Sequence, residues 1–186
     1  WPKIRAKGID LMCQYGFERM NLRKLAKESG IQAGSLYNYF SSKDEFLYKV
    51  ICDIMSDLLE DIDENLKGVN KPAERLQVYV RTMVWWHCER RKEAYISHRE
   101  FRSLPESGYE EVRLLRKRFE MILGEIIHDG IETGDFEVAY PDVTVIAILN
   151  TLTSISTWYR PGGPKSVEQL ADAYEDLIGH MLQINN

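Results

Sequence analysis

Between Asn21 and Phe40 the chain reads NLRKLAKESGIQAGSLYNYF, and these twenty residues leave few options for folding. Asn21 is a good helix N-cap. Leu22, Leu25 and Ala26 recur at helical spacing with Arg23, Lys24 and Lys27 on the other side, and Gly30 stops the helix. A second helix must then fit between Ile31 and Phe40, because Ser41 and Ser42 reopen the chain. Ser42 with Glu45 spells an S-x-x-E capping box for the next helix. Helix, tight glycine turn and helix in this span is the spacing of a helix-turn-helix.

The rest of the chain carries the same helical period. Pro2, the apolar positions Ile4, Leu11, Met12 and Tyr15, and Gly16 as a stop describe a helix before the pair. Leu47, Val50, Ile51, Ile54, Leu58 and Ile62 form the stripe of a helix that fades near Gly68. Pro72 opens another, with Leu76, Tyr79, Val80, Met83, Val84 and His87 on one face. A shorter element runs from about Glu93 to Leu104 and stops at Pro105. Val112, Leu115, Phe119, Ile122 and Ile126 then mark a long amphipathic helix over 110–133, ended by Gly134. Pro141 starts a helix that RPGGP at 160–164 breaks, and Ser166 with Gln169 makes a second capping box for a last helix through Leu170, Tyr174, Leu177 and Met181. The β-branched run from Val143 to Ile148 has no second strand to pair with. The expected fold is all-α, about nine helices: a three-helix helix-turn-helix domain over 1–46 and a larger helical domain over 47–186.

Charge separates the same two parts. The net charge is −5, yet residues 1–50 carry nine Lys/Arg against five Asp/Glu, so the N-terminal quarter is the part that can approach an anion. Cys13, Cys52 and Cys88 are odd in number and far apart, neither a metal clip nor a disulfide framework, which suits a reducing cytoplasm. Trp rather than Met at position 1 implies a short preceding segment. The uncharged stretch from Val143 to Tyr159 spans seventeen residues, seven of them Thr, Ser or Asn. It is short and polar for a bilayer and reads as a buried helix.

The segment ERMNLRKLAKESGIQAGSLYNYFSSKDEFL, with Gly30, Gly34, Leu36, Tyr37, Tyr39, Phe40 and Lys43 in place, resembles the DNA-binding domain of the TetR family of bacterial transcriptional repressors. The residues support that resemblance physically. Leu36 and Phe40 lie four apart and can anchor one face on the preceding helices, leaving the other for the major groove. Gln32, Ala33, Gly34 and Ser35 are candidates for reading bases, through an amide, a methyl and close backbone approach. The resemblance places phosphate contacts on Tyr37, Tyr39 and Lys43, which offer two phenols and an ammonium. Asn21 and Arg23 can clamp the neighbouring strand, and Asn38 can contact base or backbone. The competing reading of the tyrosines as amphipathic core residues is weakened by their alternation with Leu36 and Phe40.

The C-terminal STWYRPGGPKSVEQLADAYEDLI is similar to the ends of TetR-type repressors that answer to acyl-CoA thioesters, including repressors of steroid-ring catabolism. GIETGDF at 130–136 also fits the family. The resemblance implies a homodimer whose last two long helices form a four-helix bundle, with Trp158, Leu170, Tyr174, Leu177 and Met181 as interface candidates. It also implies a small-molecule inducer. Trp85, Trp86, Phe101, Phe119, Ile122 and Ile126 are candidates for an apolar cavity, with Asn150, Thr153 and Thr157 as polar contacts. Arg99 and Arg102, within a wider set of Arg90, Arg91, Lys92, Arg116, Lys117 and Arg118, are candidates for the phosphates of CoA.

Two other classes compete with this reading. An enzyme would have to use WWHCE at 85–89 or HRE at 98–100. His87 and Cys88 point about 100° apart on a helix, and no second pair stands near to complete a zinc site. HRE lacks the P-C-x-x-C of zinc deaminases, and there is no Walker loop, G-x-S-x-G elbow or dinucleotide fingerprint. A purely protein-binding scaffold leaves Tyr37, Tyr39 and Lys43 without a purpose. The expectation is a cytoplasmic repressor without cofactor, metal or membrane attachment, bound to a near-palindromic operator and released by an acyl-CoA or other small apolar ligand. A regulator of a multidrug efflux pump answering to free hydrophobic compounds is the alternative.

Overall fold

The computed structural model describes residues 1–184, the side chain of Ser107 aside, and its regular elements are all helical. In chain order they are α1 (Pro2–Tyr15), α2 (Leu22–Ser29), a 3-10 turn (Ala33–Asn38), α3 (Lys43–Leu66), α4 (Pro72–Glu89), α5 (Arg91–Arg99), a second 3-10 turn (Glu100–Ser103), α6 (Glu106–Thr133), α7 (Pro141–Thr153), α8 (Ile155–Trp158) and α9 (Val167–Met181). The chain forms two compact units, one of residues 1–56 with 92–115, the other of 57–91 with 116 onward. The division expected after residue 46 falls inside α3, which runs unbroken from Lys43 to Leu66. Among the described residues no helix is long and apolar enough to cross a membrane.

In the first unit α1 buries Ile4, Gly8, Ile9, Leu11 and Met12. Gly8 is required by close approach: a Cβ there would lie 2.1 Å from Cζ of Phe46, whose fully buried ring sits 5.0 Å from that of Phe40 and 5.8 Å from that of Trp1. Tyr15, expected inside, is instead 40% exposed. Its hydroxyl accepts from Lys24 Nζ at 2.7 Å, and its ring lies under the same ammonium, so the amphipathic side chain keeps its polar tip in water. Asn21 caps α2 as expected, its Oδ1 accepting from the N–H groups of Arg23 and Lys24 at 2.8 and 3.3 Å. Gly30 closes it with φ 75°, a left-handed conformation that a side chain would strain.

The second helix of the motif is a six-residue 3-10 turn rather than an α-helix. Gly34 and Ser35 are weak helix formers, and in so short a piece the tighter turn suffices. The capping box at α3 forms by half. Ser42 Oγ accepts from Glu45 N at 3.0 Å, but the Glu45 carboxylate reaches past Ser42 to Oγ and N of Ser41, at 2.5 and 2.6 Å. Those bonds, with Lys49, hold its carboxyl down to about 2. α5 and the start of α6 belong to this unit too: Lys92 pairs with Asp10 at 2.6 Å, Arg5 with Glu93 at 3.8 Å, and the Tyr48 hydroxyl donates to Glu111.

In the second unit α4 is the hub, packed against α7, α8 and α9. Its expected stripe is buried throughout. Arg81 on α4 is gripped by three carboxylates of α9, Asp172 at 2.9 Å, Glu175 at 2.5 Å and Glu168, and the first two hold the guanidinium well above its usual range. The capping box at the start of α9 is complete, Ser166 and Gln169 exchanging bonds of 3.0 and 3.1 Å.

The expected single buried helix after Pro141 differs in two ways. It breaks at Ser154 into α7 and α8. The hydroxyls of Thr151, Thr153, Ser154, Ser156 and Thr157 all donate back to carbonyls three or four residues earlier, which loosens and bends a helix. Only one side of it is buried: Val145, Ile148, Leu152 and Ile155 face in, while Val143 and Ile146 are 64% and 52% exposed. None of the three cysteines is in a disulfide.

Candidate nucleic-acid interface

The 3-10 turn after Gly30 has two distinct sides. Leu36 and Phe40 are 1% and 2% exposed and seat it on the core of the first unit. Gln32, Ala33, Gly34, Tyr37, Asn38 and Tyr39 are exposed, and Ser35 half so. Gln32 occupies the capping position but makes no side-chain capping bond, so its amide is not consumed by the turn. A Cβ added at Gly34 would meet nothing within 4 Å, so the backbone there is open to close approach. Tyr37 projects with 62% exposure. Tyr39 is held more firmly: its ring stacks on Trp1 at 6.5 Å, and its carbonyl accepts from Lys49 Nζ at 2.5 Å.

The flanking candidates are also exposed or pinned. Arg23 is exposed on the outer side of α2. Asn21 spends Oδ1 on its cap, which leaves its amide N–H groups as the donors for any further contact. Lys43 is half-buried, its ammonium donating to the Glu18 carbonyl at 2.8 Å and lying 4.5 Å over the Phe17 ring. Chemically this is a row of phenols, amides and open backbone, flanked by cations and mounted on a rigid apolar floor. Such a row can donate to phosphate oxygens and reach base edges.

The ligand candidates are placed less uniformly. Trp86, Phe119 and Ile126 are buried in the second unit, and Ile122 is half-buried. Trp85 turns away from them and is 53% exposed, lining an open cleft of about 440 Å³ with Asp61, Asn65, Arg81, Thr82 and Glu168. Arg99, Phe101 and Arg102 belong to the first unit. There Arg99 bonds the Tyr95 hydroxyl, the Phe101 ring packs 4.7 Å from that of Tyr109, and Arg102 is exposed. The polar candidates turn back on their own helices, Asn150 to Ile146 O and Thr153 to Leu149 O at 2.8 Å, and Thr157 to Ser154 O at 2.6 Å. Several of the cations are paired within the chain: Arg90 with Asp57 at 2.6 Å, Arg118 with Asp63 at 3.5 Å, Lys117 with Glu120.

Of the interface candidates, Leu170 and Tyr174 are buried within the chain, the Tyr174 hydroxyl reaching Thr151 O at 3.4 Å, and Met181 is half-buried. Trp158 and Leu177 are 49% and 48% exposed. Val143 and Ile146 extend this exposed apolar set. The seventeen-residue uncharged run signalled them in the sequence, but periodicity alone did not tell its outer side from its inner one.

The residues of the enzymatic reading are occupied elsewhere. Cys88 is buried, and burial pushes its thiol up to about 11, the opposite of an activated nucleophile. His87 Nδ1 lies 2.7 Å from the Met83 carbonyl. Glu100 is buried and accepts from Ser103 Oγ at 3.1 Å. On α6, ligand-type atoms of His128, Asp129 and Glu132 lie within 4.8 Å of one another, but Asp129 is engaged by Arg75 at 2.7 Å, as in an ordinary surface ion-pair cluster.

Residues 4–50 match the family model described as bacterial regulatory proteins, tetR family, and residues 69–182 match the tetracyclin repressor-like C-terminal domain. The chain is 27% identical over 167 residues to the HTH-type transcriptional repressor KstR2 of Mycolicibacterium smegmatis, covering 88% of this chain and 80% of that one. Among solved structures it is similar to the TetR family transcriptional regulator PfmR of Thermus thermophilus, with a TM-score of 0.86 and 27% identity over 98% of each chain. It also has the fold of AibR in complex with isovaleryl coenzyme A and operator DNA, with a TM-score of 0.87 and 21% identity over 98% of this chain and 97% of that one.

Proposed function

The chain belongs to the tetR family of bacterial regulatory proteins and is a DNA-binding transcriptional repressor, and we propose that it acts as a cytoplasmic homodimer on a near-palindromic operator and leaves it when an acyl-CoA binds its second unit. The observation that carries the DNA half of this reading is the two-sided turn at 32–40: Leu36 and Phe40 buried, Gln32, Tyr37 and Tyr39 exposed. Two heads are needed because two half-sites on a duplex require two reading elements.

The roles within that surface separate by measurement. Tyr37→Phe removes one phenolic donor to a phosphate and is expected to lower affinity three- to tenfold, about 0.5–1.5 kcal/mol, equally for operator and random duplex. Gln32→Ala is expected to cost about 1–3 kcal/mol at one base position and to relax the preference there. Gel shifts over a series of salt concentrations, followed by binding-site selection, distinguish the two. A wild-type consensus recovered by the Gln32 variant removes Gln32 from base reading, and unchanged affinity of the Tyr37 variant removes Tyr37 from phosphate holding.

For release, the WYRPGGP motif and the isovaleryl coenzyme A bound by AibR support an acyl-CoA. The ligand can act only by binding the released state more tightly, by a few kcal/mol for a usable switch. α3 and α6 are the elements that carry such a shift, since each has residues in both units. Titrating acetyl-, isovaleryl-, octanoyl- and palmitoyl-CoA against the protein–operator complex tests this, with release expected at micromolar concentration of at least one. One observation favours a second reading: Arg90 and Arg118, counted on for phosphates, already hold carboxylates. Release by a free hydrophobic compound and by none of the thioesters selects that reading.

A further inference from the structure

α4 buries four side chains with nitrogen or oxygen atoms, Tyr79, Thr82, Trp86 and His87. Three of them are satisfied inside the chain. The Tyr79 hydroxyl donates to Phe119 O at 3.2 Å, Thr82 Oγ1 accepts from Asn65 at 3.0 Å, and His87 Nδ1 meets Met83 O at 2.7 Å. Trp86 is the exception: it is 1% exposed, and its Nε1–H has no hydrogen-bond partner among the described residues. A fully buried orphan N–H is rare, because leaving it unpaired costs free energy that folding seldom tolerates without a return.

The ring carrying this donor is fixed in place. The guanidinium of Arg90 lies 4.9 Å over it and is itself tied to Asp57 at 2.6 Å. The donor therefore cannot swing out to water, and it sits on the helix around which α7, α8 and α9 of the second unit are packed. An indole N–H donates and never accepts, so only an acceptor can complete it.

We propose that Trp86 Nε1–H is the specificity donor for the inducer, donating a hydrogen bond to an acceptor oxygen such as the thioester carbonyl of an acyl-CoA. This rests on the reading of the second unit as the inducer-binding unit. A site with an unpaired buried donor discriminates strongly against a ligand of the same shape that lacks the matching acceptor. Here the expected discrimination is about tenfold or more in the concentration that releases operator.

The test compares octanoyl-CoA with S-octyl-CoA, which keeps chain and CoA but has no carbonyl, and 2-octanone with octane, by operator release and by shift in Tm. Each pair is run on the wild type, on Trp86→Phe, and on a protein carrying β-(3-benzothienyl)alanine at position 86, which keeps the shape of the ring and lacks the N–H. The expected result is a gap of about tenfold within a pair for the wild type that closes in both substituted proteins. A gap that persists in them, or equal potency in the wild type, overturns the donor and leaves acyl-CoA release standing; the latter is also the outcome if a buried water takes the bond. A gap for the ketone pair with neither CoA compound active supports the donor and sinks the acyl-CoA reading. Inactivity of all four probes overturns the proposal.

Discussion

Phe40→Ala is expected to destabilise the first unit by about 3–5 kcal/mol and to abolish operator binding at physiological temperature. Phe40 is 2% exposed, its ring 5.0 Å from that of Phe46 and in edge contact with Trp1 at 6.5 Å. Truncating it removes a large apolar area and leaves a hole that Phe46, already against Gly8, cannot fill without opening another. Domains of this size are stable by only about 5–15 kcal/mol, so the loss consumes much of the margin. The same side chain seats the 3-10 turn, so the proposed reading surface goes with it. Denaturant unfolding followed by gel shift checks this, with Tyr37→Ala as the control, expected to bind poorly while keeping its unfolding midpoint. A Phe40→Ala protein with an unchanged midpoint would show that the turn is not held by this anchor.

The parts of this surface and of the wider fold that were legible in the sequence depend on spacing alone. Leu36 and Phe40 recur at the interval that puts two residues on one face, and Asn21, Gly30 and Ser166 with Gln169 are local signals whose partners lie within a few residues. What was illegible depends on through-space partners or on competition. The 3-10 geometry of 33–38 reflects a segment too short to choose between turns by periodicity. Glu45 spells a capping box but finds two donors on Ser41 instead of one on Ser42. The pairing of Arg90 with Asp57 and of Arg118 with Asp63 joins residues 33 and 55 positions apart, so the sequence showed unattached cations where the fold has ion pairs. The same holds for Trp85 and Trp86: adjacent letters, one exposed and one buried on α4.

The exposed apolar set on the second unit leads to the other large effect. Val143, Ile146, Trp158 and Leu177 are 64%, 52%, 49% and 48% exposed. α7 and α9 both pack on α4, and the Tyr174 hydroxyl of α9 reaches Thr151 O of α7. Several large apolar side chains exposed on one unit mark an interaction surface, and in the proposed two-fold dimer each residue is used twice. The double substitution Ile146→Glu with Leu177→Glu therefore brings four carboxylates into one interface, where like charges without partners cost several kcal/mol. It is expected to give monomers at micromolar concentration. Affinity for the full operator is then expected to fall by a factor of about 10²–10⁴, because the second head no longer binds as if pre-concentrated by the first, whereas affinity for a single half-site is expected to stay the same. Leu170→Ala, inside the chain at 5% exposure, is expected to lower Tm instead and to leave the association state alone. Sedimentation velocity with gel shifts on full and half operators separates the two effects. A charged double variant that still sediments as a dimer and holds the full operator at wild-type affinity would place the interface on another face of the unit.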